Sequence, residues 1–200
     1  PDDNYVCGLI TTFSILLWII TNKYNLLKMQ LVERHIVIES KEIEDICFKC
    51  ARLYNFVNYY KRQVCFGQFE KFGEYEVTGL LAKYKQEDFT VLPSNTAQQV
   101  VRLLFQDWAS YFKSVKDYNK NPSKYSGKPK IPKYKDKKGC CICIFSGSQL
   151  GFKNGYIKFP KKTNLLPLKT NVTNIAQVRI VPKATCFVIE VVYNKEITVN

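Results

Sequence analysis

Behind the Pro93-Ser94 dipeptide, Asn95, Gln98 and Arg102 recur at steps of three and four residues. On a helix that spacing puts them on one face. Asn and Gln can bond the edge of adenine through two hydrogen bonds, and Arg the edge of guanine. Ser94 offers an N-cap. A helix N-terminus also presents N–H groups and a partial positive charge to phosphate. The same residues would serve equally as an ordinary solvated helix face.

A second stretch carries charge. Residues 113–139 hold ten lysines against Asp117 and Asp136. Lys124, Lys128, Lys130, Lys133, Lys135, Lys137 and Lys138 lie beyond Pro122, with Tyr125 and Tyr134 among them. Pro122, Pro129 and Pro132 prevent regular helix there. Lysines neutralise a phosphate backbone, and interleaved aromatic rings can stack on unpaired bases. Those seven lysines and Tyr134 are therefore the candidate contacts to a nucleic-acid backbone; the alternative is a solvated linker.

Other chemistry is restricted. His35 is the one histidine, so a Cys-His or Ser-His centre could form only around it. Cys47-x-x-Cys50 and the Cys140-Cys141-x-Cys143 cluster suggest zinc knuckles. The first pair falls inside a helical pattern and the second inside a β run. Core cysteine is the reading that suits both, and no metal ligand is assigned.

The elements that must position these residues follow from periodicity. Residues 30–38, QLVERHIVI, read as a strand. Ser40, with Glu42 and Glu44 in the first turn, starts a helix whose apolar face is Ile43, Ile46, Cys47, Cys50, Leu53, Tyr54 and Val57. The clearest helix follows Pro93, with Ala97, Val100, Val101, Leu104, Trp108, Phe112 and Val115 as its apolar stripe. After Gly139 the chain turns to short strands at 140–146, 156–160, 175–181 and 185–193. The expected fold is α+β: a small antiparallel β-barrel with a helical insertion between its first and second strands. The unpaired backbone of an isolated first strand predicts that 30–38 pairs with a strand from 140–193.

The formal charge of +13, from 30 Lys and Arg against 17 Asp and Glu, favours a polyanionic partner. At 46% hydrophobic and 24% charged, the chain is neither disordered nor a multi-span membrane protein. Reduced thiols and an N-terminus without basic residues fit an intracellular protein. Residues 5–20 are almost wholly apolar, slightly short of the roughly 20 that span a bilayer. Because the coherent pattern begins at Met29, residues 1–28 read as an extension outside the functional protein. A single membrane anchor through 5–20 and a buried core helix are the alternatives.

The motifs LVERHIVI at 31–38, LYNFVNYYKRQ at 53–63, VLPSNTAQQVVRLLFQDWASYFK at 91–113, GKPKIPKYKDKKG at 127–139 and IKFPK at 157–161 occur in one order. In that series the chain resembles OrfB-like, TnpB-type transposases over about residues 29–196. Those are transposon-encoded, RNA-guided DNA nucleases related to compact type V CRISPR effectors. The resemblance implies a wedge barrel at 29–39 and 140–200, a helical recognition insertion at 40–120 and a basic segment at 121–139. It implies guide RNA and target-flanking double-stranded DNA as partners, in a cytoplasm of prokaryotic type. It places Ser94, Asn95 and Gln98, joined by Ser146, where the family reads the DNA motif beside its target.

The chain departs from the family in its carboxylates. RuvC-type chemistry holds two divalent metals about 3.5–4 Å apart between clustered acids. The family's first such Asp lies in Asp-x-Gly, and none of Asp2, Asp3, Asp45, Asp88, Asp107, Asp117 and Asp136 does. The expectation is a fragment or truncated remnant lacking the RuvC-like domain and the zinc finger. It would bind without catalysing and hold no cofactor itself, with divalent metal and zinc confined to the missing half. A stand-alone RNA- or single-strand-binding barrel and a membrane-anchored basic protein are the other function classes.

Overall fold

Ser40 starts the first helix as its sequence suggests: its hydroxyl accepts from the Ile43 amide at 3.3 Å, with Glu42 and Glu44 in the first turn. The computed structural model describes residues 25–199. Helix α1 (Lys41–Cys65) buries Ile43, Ile46, Cys47, Cys50, Leu53, Tyr54 and Val57 along one stripe. A fully buried Leu or Ile side chain contributes about 1.5–3 kcal/mol, so this stripe is a principal attachment of the helix. Two shorter helices follow, α2 (Glu74–Lys83) and α3 (Glu87–Thr90).

Helix α4 (Ser94–Lys120) buries Ala97, Val100, Val101, Leu104 and Trp108. The expected stripe ends there. Phe112 is 51% exposed and Val115 half-buried, because the helix runs past the elements it packs on; Phe112 rests against Trp108 and Tyr111 instead. Ser94 does not cap the helix. Pro93 occupies that position, and no side chain caps this end among the described residues.

Strand β1 (Asn25–Val37) begins four residues before Met29. It pairs antiparallel along its whole length with β7 (Phe187–Val199), from Asn25 opposite Val199 to Val37 opposite Phe187. The first strand thus finds its partner at the far end of the chain, as its unpaired backbone requires. The sheet continues through β6 (Ile175–Pro182) to β2 (Cys143–Ser146), in the order β1-β7-β6-β2. Its inner face buries Ile189, Val191, Val178, Ile180, Phe145 and Cys143, and α1 and α4 pack on the β2 edge.

The helices do stand between β1 and β2 in chain order, and the fold is α+β. A closed barrel is not found among the described residues. Strands β3 (Gly151–Lys153), β4 (Tyr156–Lys158) and β5 (Leu168–Lys169) form a separate three-stranded sheet. Its hairpin closes through Asn154 and Gly155, both at positive φ (53° and 76°), the geometry of a tight two-residue turn. Strands of two or three residues satisfy one another locally and cannot extend the long β1–β7 ladder.

Candidate nucleic-acid interface

The basic segment is not a free linker. Asn55, Asn58 and Arg62 stand three and four residues apart on one face of α1. Asn55 donates to the Lys135 carbonyl at 2.9 Å and accepts from the Lys135 amide at 2.7 Å. Asn58 donates to the carbonyls of Pro132 (3.2 Å) and Lys133 (3.3 Å). Arg62 donates to Pro132 at 2.6 Å. The Cys141 amide continues the run to the Cys47 carbonyl at 3.0 Å. Residues 131–141 therefore form a strap laid antiparallel along α1, turned once between Asp136 and Gly139. Proline has a carbonyl but no N–H, so donors from the helix are what such a strap needs.

The clamp reaches the core. The fully buried Asn58 also accepts from Trp108 Nε1 at 3.0 Å, joining strap, α1 and α4 through one amide. Tyr54 donates its hydroxyl to Asp107 at 2.8 Å. Burial, then the Asp107 carboxylate, holds that phenol well above its ordinary value, so it remains a donor. Arg62 lies over the Tyr134 ring at 4.3 Å and Lys135 over the Tyr54 ring at 4.5 Å.

The seven candidate lysines consequently divide. Lys135 is half-buried on Tyr54. Lys124 stands 3.9 Å from Asp117, whose carboxyl is held low mainly by the hydroxyl of Tyr125. Lys128, Lys130, Lys133, Lys137 and Lys138 are exposed, and their ammonium groups have no hydrogen-bond or ion-pair partner among the described residues. Lys130 and Lys133 line a groove of about 390 Å³ between the strap and α4, with Tyr54, Asp107 and Tyr111.

At the start of α4, Asn95 and Ser146 come together, Asn95 donating to the Ser146 hydroxyl at 3.5 Å. Ser146 also reaches Ser148 at 3.1 Å and Gln149 at 3.2 Å, and Gln149 donates to the buried Thr96 hydroxyl at 3.1 Å. The turn after β2 depends on Gly147, where a Cβ would lie 2.5 Å from the Ile175 carbonyl oxygen. Ser94 and Gln98 are exposed beside this cluster. Arg102 is committed elsewhere: its Nε pairs with Glu74 on α2 at 3.1 Å, which raises its pKa. Meeting a base edge would require it to leave that partner.

The remaining candidates are structural. His35 Nε2 faces the Glu33 carboxylate at 2.6 Å, and Thr170 donates to the same oxygen at 2.8 Å. Cys47, Cys50, Cys141 and Cys143 are buried between α1 and β2, as core cysteines would be. Burial pushes Cys141 up to about 12 and raises Cys47 and Cys143 as well, so these thiols stay protonated. Among the described residues no group of three His, Cys, Asp or Glu is arranged to hold a metal ion, and no helix is long and apolar enough to cross a membrane. Residues 5–20 lie outside the described residues.

The clamp of Asn55, Asn58 and Arg62 was not assigned from sequence. Its signal was present in amides at helical spacing beside an apolar stripe. Compared with protein-family models the chain matches none, and no curated protein matches it.

Proposed function

We propose that this chain is a nucleic-acid-binding region of the TnpB/OrfB type, engaging guide RNA and target-flanking duplex DNA. On this reading the two sheets form the wedge and α1–α4 the recognition insertion. The observation that carries it is the clamped strap. Amides and a guanidinium from α1 fix its backbone; Lys130 and Lys133 then line the groove beside α4, and Lys137 and Lys138 lie against Lys41, Glu44 and Asp45 at the start of α1. Exposed, unpaired cations on a backbone held in place suit a phosphate backbone. The meeting of Asn95 with Ser146 at the start of α4, next to Gln98, adds a place where base edges could be read.

The test is the salt dependence of binding by the full chain to labelled RNA and duplex DNA. Each neutralised phosphate contributes a slope of about −0.7 to −0.9. Changing the five free lysines to Gln, with Lys135 left in place, should flatten the slope by several such steps. An unchanged slope returns the strap to a purely structural role. Gln98→Ala should cost about 1–3 kcal/mol of discrimination at one base pair while leaving non-specific affinity intact. A selection from randomised duplex, with the segment placed in a complete guide-loaded relative, reads that directly.

A further inference from the structure

The small sheet carries a second surface, remote in sequence from the strap. Its register sets Lys153 opposite Tyr156 and Tyr156 opposite Lys169; Phe152, Ile157 and Leu168 form the neighbouring row. Directly opposed residues share a face, and successive residues alternate between faces. Ile157 is fully buried and Leu168 half-buried, so theirs is the inner face, with Phe152 at its edge 49% exposed. The other face must then present Lys153, Tyr156 and Lys169 as one row across three strands. Lys158 follows one pleat along β4, about 7 Å from Tyr156. Gly151 lies opposite Lys158 and leaves that end of the face low and open.

All four side chains are free. Tyr156 is 42% exposed, and Lys153, Lys158 and Lys169 are exposed. None has a hydrogen-bond, ion-pair or ring partner among the described residues. By contrast, the nearby Lys162 is spent on the carbonyls of Thr90 and Leu92. No Asp or Glu occurs between residues 152 and 170. A flat ring standing about 5 Å from a lysine on either side is a stacking platform with its counter-charges in place. A base inside a duplex cannot reach such a ring, whereas an unpaired base can.

We propose that this face binds a single-stranded stretch of nucleic acid, with one unpaired base stacked on Tyr156 and the flanking phosphates on Lys153, Lys158 and Lys169. The proposal rests on the nucleic-acid reading above but uses a different surface and a different form of ligand. It is tested on the full chain with oligouridine, oligothymidine and a blunt duplex DNA, which separates single-stranded RNA from single-stranded DNA and both from duplex.

Tyr156→Ala should weaken single-strand binding about tenfold, the scale of one lost stack, while Tyr156→Phe keeps it. Duplex affinity should not change in either variant. Replacing Lys153, Lys158 and Lys169 with Gln should reduce the single-strand salt slope by about 2, at about 0.7 per contact. A bromouridine-substituted strand should crosslink within residues 152–158. If Tyr156→Ala binds single strands as the parent does, or if the crosslink maps only to the strap, this proposal is overturned while the strap reading stands. If the parent binds duplex but no single strand, it is likewise overturned alone. Loss of both readings would show as a parent chain that binds none of the three probes. The altered side chains are exposed, so unchanged thermal melting identifies the effects as binding effects.

Discussion

Tyr134 and Tyr156 are exposed to nearly the same extent, 43% and 42%, and each has lysines on both sides. Their surroundings differ in kind. Tyr134 lies under Arg62, on a strap whose carbonyls are taken by side chains of α1. Tyr156 stands on a short hairpin sheet with no partner for its ring or for the lysines around it. The same local composition is therefore fastening in one region and open surface in the other. What separates them is the neighbouring element: amides at helical spacing against the strap, and only solvent against the outer face of the sheet.

The most severe way to break the comparison is to release the strap. Asn58→Ala strips the partner from Trp108 Nε1 in the interior and one donor from the strap at Lys133, while the Pro132 carbonyl keeps Arg62. With one buried group left unpaired at about 1–3 kcal/mol, the loss should fall in that range. Urea unfolding reads the stability, and trypsin should cleave faster after Lys133 and Lys135 than in the parent. Unchanged cleavage would mean the strap is held without the amide.

A paired substitution sharpens it. Tyr134→Ala removes a cation–π contact and should cost about 0.5–1 kcal/mol of stability with little change in single-strand affinity. Tyr156→Ala should do the reverse. Equal effects from both would erase the distinction between fastening and platform.

Alkaline pH probes the interior behind the strap, where Cys141 and Cys47 are joined through their backbones. Desolvation raises Cys141 from 9.0 to about 12, and Cys47 and Cys143 move the same way. The folded state thus keeps protons that the unfolded chain releases. The stability they confer is complete below about 9 and falls as pH rises towards 12. A thermal midpoint that drops across this window, and drops less steeply in Cys141→Ala, is expected.

The smallest effect belongs to Arg102. Its ion pair with Glu74 is solvent-exposed, so Arg102→Ala should change stability by less than about 1 kcal/mol. Any larger change in duplex binding would then come from contact with the ligand.

Much of this was legible in the residues. The apolar stripes of α1 and α4 and the N-cap at Ser40 are local signals, and the structure has both helices. That β1 needs a partner a hundred residues or more away follows from its unpaired backbone alone. The barrel did not close because β3–β5 pair with one another, and the Asn154-Gly155 turn that makes them do so is a two-residue signal easily passed over. The strap's clamp depends on which face of α1 meets residues 131–135. The commitment of Arg102 depends on Glu74, 28 residues away. Neither register is written in local periodicity. The contact between Asn95 and Ser146 likewise depends on how β2 meets α4, and Ser94 opens that helix without capping it.

The β1–β7 ladder also fixes an order of events during synthesis. About 150 residues separate Val37 from Phe187, so at roughly 5–20 residues per second β1 waits about 8–30 s for its partner to be made. The helices and the Asn154-Gly155 hairpin are built from close neighbours in sequence and can form in that interval, whereas the long ladder is a contact of high sequence separation and closes last. Throughout the wait β1 is a thirteen-residue strand, seven of its residues apolar, with both edges open, a template for pairing with other nascent chains. Production of this protein should therefore be limited by aggregation of the growing chain more than by stability of the finished fold, and slower or cooler synthesis would lengthen the exposure of each chain while lowering the concentration of its possible mispartners.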